Sequence, residues 1–359
     1  MMNSDKYGHS RSESRSESRV NPTRLKRLVA SWIRLHRILS GCVIFVAILM
    51  IIKFAHLDDH SVQIMDKFLD TKEKAEKVER SAALSELVKK TRNYDANSTK
   101  VALVMPKTRS DDLRWLRDYL QTQTDNTPFI YTMDQKPETE LLVAHSSRGR
   151  EASAYLSFIV DLYDELPAYS IFLHSNPEQW HNDLFGPQTS SVLKSLRLEA
   201  VDAMGYSNLR CTNNPGCPTH INPNSPTQAD IDNNDVRANF PSIYKGIFGD
   251  EAQVPDHIGG ICCAQFAVSR ARIWQRPKSD YIHMLNWIDE KSMLLVNDYG
   301  VGWVFETLWH IVFGMEGIHC PIYEQCRCDN YGWCGPLPSG ETLTAIAAPQ
   351  ESQLKYRYG

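Results

Sequence analysis

Apolar positions change their spacing repeatedly along this chain, and each change predicts an element. Between Ile38 and Ile52 they run almost unbroken (ILSGCVIFVAILMII), and Phe54, Ala55 and Leu57 extend the run. About 20 such residues match the thickness of a bilayer core, which predicts a transmembrane helix over 37–57. From His60 to Asn93 the spacing becomes helical. Ile64, Met65, Phe68 and Leu69 share one face, and Leu84, Leu87 and Val88 resume it. No Gly or Pro interrupts the chain between Cys42 and Met105. A helical stalk over 58–99 follows, without the sustained heptads that would set an oligomeric state.

Beyond Lys100 the spacing alternates between strand and helix. Val101–Met105 and Pro128–Tyr131 read as buried strands, with a third short apolar piece at Leu141–Val143. Helices are predicted over Asp111–Gln121 and Arg150–Tyr163, and Ser170–Leu173 is another strand. Thr189–Met204 reads as one helix stopped by Gly205. Residues 211–256, rich in Asn, Pro and Asp, read as a long insertion. A strand ending at Ser269-Arg270 precedes a helix through Tyr281, Leu285, Trp287 and Ile288. Gly302–Phe313 is a strongly apolar helix carrying Glu306 and His310 four residues apart, on one face. Strands alternating with helices predict an α/β domain: a mixed, mostly parallel sheet flanked by helices.

Charge and cysteine placement change this picture. The 359 residues carry a net charge of −4, yet residues 1–37 hold a local excess of Lys and Arg. A basic head before an apolar run orients a membrane segment with its N-terminus in the cytosol, and the overall balance gives no nucleic-acid signal. The expected organisation is a disordered basic tail (1–36), the transmembrane helix (37–57), the stalk (58–99), a lumenal α/β domain (100–335) and a C-terminal tail (336–359). Eight of the nine cysteines lie between Cys211 and Cys334. Cys211, Cys217, Cys262, Cys263, Cys320, Cys326, Cys328 and Cys334 are disulfide candidates for an oxidising compartment. A local Cys211–Cys217 bridge across Pro215-Gly216 fits the spacing. The C-x5-C-x-C-x5-C spacing of the last four suits disulfides better than zinc. Asn97-Ser98-Thr99 is an N-glycosylation sequon.

Candidate chemistry concentrates after the Ser170–Leu173 strand. His174, Asn176, Trp180, His181, Asn182 and Asp183 follow within ten residues, where open α/β sheets build sites. The alternative is a polar loop capping the next helix. Imidazole and carboxylate suit Mn2+ or Mg2+, with His174 and Asp183 as ligands. Before that strand, Arg148, Gly149, Arg150 and Glu151 open a helix where an anion could bind; helix-dipole stabilisation by Glu151 explains the same residues. Glu306, in an apolar helix, is either a base or clamp or half of an ion pair with Arg270. Nucleophile-elbow, zincin, Walker A and dinucleotide fingerprints are absent from the sequence.

Several long runs carry a resemblance: RGREASAYLSFIVDLYDELPAYSIFLH (Arg148–His174), WHND (Trp180–Asp183), LRLEAVDAMGYSNLRC (Leu196–Cys211) with PGCP, CCAQFAVSRARI (Cys262–Ile273) and FETLWHIVFGMEGIHCP (Phe305–Pro321). Together, over Val101–Cys334, they resemble fungal domain-of-unknown-function family 3431, whose members are single-pass or secreted proteins. A looser pattern, G-R-E before a helix, YD-x-LP, F-x-V-S-R and E-x-x-W-H-x-x-F, is similar to glycosyltransferase-like proteins of nucleotide-sugar-type fold. Ser147 stands where that pattern has Asn, and His174-Ser175-Asn176 stands in place of an Asp-x-Asp. The resemblance implies a type II membrane enzyme of the Golgi or secretory pathway that moves a sugar from a nucleotide-sugar donor to a glycan acceptor. Glu306, His181 and Asp183 would be catalytic. Arg148, Gly149, Arg150, Glu151, Trp180, Asn182 and His310 would bind substrate. The other expectation is a non-catalytic carbohydrate- or protein-binding module on the same scaffold.

Overall fold

The computed structural model describes the backbone of residues 22–291 and 296–335. Side chains at 22–30, 33–35, 37–38, 51–52, 54–64, 66 and 291 lie outside that description, as do the tails at 1–21 and 336–359. The chain divides into two compact units, one up to Ala75 and one from Glu76 onward.

Helix α1 (Pro22–Arg92) starts inside the segment expected to be a tail and continues unbroken through the stalk. In the first unit its apolar residues at 39–50, including Val43, Phe45 and Leu49, are exposed. Among the described residues no helix is long and apolar enough to cross a membrane. Part of the expected span at 37–57 lies outside the described side chains.

The second unit follows in chain order as β1 (Val101–Lys107), α2 (Arg114–Thr122), β2 (Asn126–Thr132), β3 (Leu142–Val143), α3 (Glu151–Leu162), β4 (Tyr169–Phe172), α4 (Thr189–Ser195), α5 (Leu198–Met204), β5 (Tyr206–Asn208), α6 (Gln228–Asp232), α7 (Phe240–Phe248), β6 (Gly259–Gly260), β7 (Phe266–Ser269), α8 (Arg270–Ile273), α9 (Lys278–Asn286), α10 (Asp298–Val312), β8 (Ile318–His319) and α11 (Tyr323–Tyr331). Six strands form the main sheet in the order β3-β2-β1-β4-β7-β5, and β6 pairs with β8 apart from it. β3, β2, β1 and β4 run parallel. β7 lies antiparallel to both β4 and β5. The sheet is therefore mixed rather than mostly parallel. Four-residue strands such as β7 carry too little pattern to announce their direction, which only their partners fix.

The alternation of β1 explains the two layers. Ala102 and Val104 face one core with Phe129, Phe158, Phe172, Phe266, Phe305 and Trp309. Val101, Leu103 and Met105 face the other with Leu116, Ile171, Leu173 and Val192. A strand covered on both faces reads as continuous apolar sequence, which is why VALVM was legible. α3 lies in the first core with its residues Ala152–Ile159 all buried. The end of α1 lies in the second, through Leu87 and Val88, so the last turns of the expected stalk are part of the globular unit.

Two further expectations are corrected. The helix expected over Thr189–Met204 breaks at Leu196-Arg197, where both residues are extended. The Arg197 amide donates to the Asn330 carbonyl at 2.7 Å, so docking of α11 takes the place of a helical bond. The expected loop at 211–256 contains α6 and α7. Phe240, Ile243, Tyr244 and Ile247 repeat at helical spacing and are buried. That signal was in the sequence, masked by the Asn- and Pro-rich residues before it.

The eight cysteines form four disulfides: Cys211–Cys326, Cys217–Cys320, Cys262–Cys263 and Cys328–Cys334. The local Cys211–Cys217 bridge is not formed. Both cysteines instead tie the start of the insertion to the C-terminal segment, more than a hundred residues on.

Candidate active site

Strand order reverses beside β1, which has β2 on one side and β4 on the other. β1 and β4 are parallel neighbours, and a crevice lies at their carboxyl ends. A cavity of about 650 Å3 occupies that position, a volume typical of small-molecule sites. Pro106, Lys107 and Thr108 line it from the end of β1, and His174, Ser175 and Asn176 from the end of β4. Arg150 and Glu151 come from the start of α3, Trp180 and His181 from the following loop, Cys263 from the approach to β7, and Glu306 from α10.

Each wall has a local cause. Gly149 holds φ +82°, and a β-carbon there would lie 3.1 Å from a Val301 methyl. Its amide donates to Asp298 Oδ1 at 2.6 Å, which pins the turn to α10. Arg150 follows at φ 50° without being glycine, a conformation kept only where the surroundings hold it. Its guanidinium lies 4.9 Å from the Tyr299 ring centre and 3.9 Å from Asp298 Oδ2. This pair is about half exposed, so it adds little to stability and leaves Arg150 directed to the cavity.

His174 is held from two sides. Its amide donates to Gln265 Oε1 at 3.1 Å. Its Nε2 lies 3.0 Å from the Cys263 carbonyl. A carbonyl only accepts, so Nε2 carries the proton and Nδ1 is the basic nitrogen. The His181 ring packs edge-on to His174 and to Trp180, each at 5.4 Å. Trp180 sits on a loop closed by Gln179 N to Pro187 O and Thr189 N to Pro177 O, both 2.9 Å. It remains 46 % exposed, with the Arg210 guanidinium over its ring at 5.6 Å from the centre. Across the cavity, Glu306 Oε1 accepts the Cys263 amide at 2.9 Å. Arg270 instead donates to the Leu166 carbonyl.

Five of the expected residues lie outside the cavity lining: Gly149, whose amide is tied to Asp298, and four more. Asp183 Oδ2 accepts the amides of Cys211 (2.9 Å) and Thr212 (2.5 Å) and the Thr212 hydroxyl (2.7 Å), which anchors the insertion. Asn182 bonds Pro187, Thr189 and Gln265. Arg148 donates to the Val296 carbonyl. His310, one turn beyond Glu306, is buried with Nε2 3.1 Å from the Gly317 carbonyl and stacked on His319. The spacing put Glu306 and His310 on one face, but a helix rises a full turn between them. One therefore meets the cavity and the other the β6–β8 layer.

Burial pushes the His310 imidazole down to about pKa 4, with His319 adding to the effect and the Gly317 carbonyl opposing it. Burial pushes His319 down as well, with Arg272 adding to it. The fold holds His310 neutral at pH values where the unfolded chain, near 6.5, is protonated. The unfolded state then binds the extra proton, so stability falls as pH drops from 6.5 towards 4. At pH 5 the loss from His310 is about 2 kcal/mol. Urea midpoints at pH 7.5 and 5 should show this decline, and His310→Asn should flatten it. An unchanged slope in the variant counts against the assignment.

Sequence reasoning missed Lys107, Asp111 and Gln265. Lys107, almost wholly buried, pairs with Glu138 at 2.5 Å. Asp111 Oδ2 accepts the Ser175 hydroxyl at 2.8 Å and the Thr108 amide at 2.7 Å. Gln265 joins His174, His181 and Asn182. A lone Gln inside CCAQFAV was the available signal, because a buried amide needs partners. Among the described residues, one group of three potential metal ligands lies close enough to share an ion: Cys262, Cys263 and Glu306. Both sulfurs are in a disulfide, so they offer no thiolate, and His174 and Asp183 are not gathered with them. The donor set does not fit a resident divalent ion held by protein groups alone.

Fold and cavity together define a mixed α/β domain with a cavity at the carboxyl ends of β1 and β4. The family described as "Protein of unknown function (DUF3431)" matches residues 103–329, and the chain belongs to it. No curated protein and no solved structure matches the chain.

Proposed function

We propose that this protein is a glycosyltransferase-like enzyme whose nucleotide-sugar donor lies in the cavity at the ends of β1 and β4. One observation carries the reading: Arg150, Glu151, His174, Trp180, His181 and Glu306, from separate segments, line one cavity. Arg150 is placed to meet a phosphate and Trp180 to stack on a sugar or base. Glu306, oriented by the Cys263 amide, takes the proton from the acceptor hydroxyl as that oxygen attacks the anomeric carbon. The nucleoside diphosphate departs with the electrons of the broken bond, and protonated His174 or His181 can donate to its oxygens. The test is calorimetric binding of UDP- and GDP-sugars to the purified chain, with and without Mn2+. No binding across the set sinks the proposal.

A second reading is favoured by the charge of the lining. Lys107 and Arg150 face Asp111, Glu151, Asp298 and Glu306, so acids exceed bases by two. Such a wall suits a neutral polyhydroxy ligand better than a bare diphosphate. A carbohydrate-binding module would keep its affinity in Glu306→Gln and lose it in Trp180→Ala.

The compartment that suits either reading is the lumen of the secretory pathway, because four disulfides need oxidising conditions. Asn97 is exposed, so a glycan there is sterically accessible. Asn97→Gln should remove a glycosidase-sensitive mobility shift; no shift in the unsubstituted protein contradicts lumenal placement.

A further inference from the structure

The disulfide between the neighbours Cys262 and Cys263 differs in position from the other three. Cys263 lines the main cavity, and Cys262 lines a small adjoining cavity of about 20 Å3 together with Glu306, His220 and Trp303. Glu306 faces both cavities, so the disulfide stands in the wall between them. No other bonded cysteine lines either. The backbone here is unusual too: Cys263 and Ala264 hold φ 86° and 47° in succession, and neither is glycine. Non-glycine residues keep such conformations only where something holds them.

The peptide at Cys263 does two jobs. Its amide donates to Glu306 Oε1 at 2.9 Å, and its carbonyl accepts from His174 Nε2 at 3.0 Å. The next carbonyl, Ala264, accepts the hydroxyl of fully buried Tyr155 at 3.2 Å. Two ionisable groups of the lining are thus held by one residue, whose backbone is confined by the small ring that a bridge between neighbours closes.

We propose that the Cys262–Cys263 disulfide is the positioning element of this site and a redox control upon it. Closed, it keeps Cys263 in the left-handed region and sets Glu306 and His174 against the cavity. A small dithiol entering the cavity attacks one sulfur, forms a mixed disulfide and leaves as its own cyclic disulfide. The Sγ–Sγ bond breaks, two electrons and two protons pass to the protein, and thiols remain at Cys262 and Cys263. Cys263 is then free to relax to negative φ, which withdraws its amide from Glu306 and its carbonyl from His174. The inference concerns the cavity of the proposed enzyme but does not require nucleotide-sugar chemistry.

The test reads His174 directly. In the full chain labelled with 15N-histidine, at pH 8, His174 resonances are assigned by their loss in His174→Gln. The oxidised protein should show the Nε2–H tautomer. The double variant C262A/C263A should show a mixture of both tautomers while keeping its near-ultraviolet circular dichroism. Graded dithiothreitol, with alkylated cysteines mapped by peptide mass, should shift the His174 signals in step with labelling of Cys262 and Cys263. UDP-glucose affinity, where the oxidised protein binds it, should fall roughly tenfold over the same steps. Unchanged His174 tautomers in the variant and on reduction overturn the proposal. So does a pair that opens only when Cys211–Cys326 and Cys217–Cys320 open and the fold is lost. If the variant fails to fold, the titration of the unsubstituted protein decides alone. If no nucleotide sugar binds, the enzyme reading fails while the tautomer measurement still decides this one.

Discussion

Removing both long-range disulfides, by alanine at Cys211, Cys326, Cys217 and Cys320, is expected to cost about 8 kcal/mol of stability, more than the two single removals together. The reason is topological. The Cys217–Cys320 pair lies inside the loop closed by Cys211–Cys326. While one bridge remains, the other closes a ring of only roughly 15 residues through it, and its loss costs about 3 kcal/mol. Once one is gone, the survivor closes a loop of more than a hundred residues, and its loss costs nearly 5 kcal/mol. Against a total stability of about 5–15 kcal/mol, the double removal leaves little fold. Urea midpoints of the two single-bridge variants and the four-alanine variant measure this coupling. Strict additivity would show that the unfolded chain is not confined in the way assumed. These two bonds tie the start of the insertion to the C-terminal segment, and Asp183 holds it to the loop after β4.

Glu306→Gln is expected to reduce turnover by about 10²- to 10⁴-fold while leaving donor affinity within a few fold. Glutamine keeps the oxygen that accepts the Cys263 amide, so the wall between the cavities keeps its shape. What it loses is the capacity to take a proton. Initial rates of sugar transfer, or of donor hydrolysis, against donor concentration separate the two effects. A fall in affinity with unchanged turnover would make Glu306 a binding group. Near-normal turnover would remove it from the chemistry. Thermal unfolding should show little change, because neither substitution nor charge loss opens a cavity in the core.

Much of this molecule was legible in sequence because its signals are local. The apolar run VALVM, the helix of α3, the stop at Gly205 and the polar cluster after β4 each depend on a few neighbouring residues. The elements those residues predict are present, with small shifts at their ends. Family membership was equally legible in the long runs around Arg148–His174 and Phe305–Pro321. The sequence by itself therefore determined most of the elements and the strands and helices that carry the core.

Only the tertiary structure decided what required distant segments to meet. The direction of β7 is set by β4 and β5, which have no sequence contiguity with it. The partners of Cys211 and Cys217 were not the nearest cysteines, because the fold brings these two beside Cys326 and Cys320. Asp183 and His310 carry the same chemistry as the groups that line the cavity, yet they serve the insertion and the β6–β8 layer. Residue type reports what a side chain can do, but its direction follows from helix rise and strand pleat summed over the whole path. Cys263 shows the limit most clearly. In sequence it is one of a pair of neighbouring cysteines; in the fold its N–H and its C=O hold Glu306 and His174.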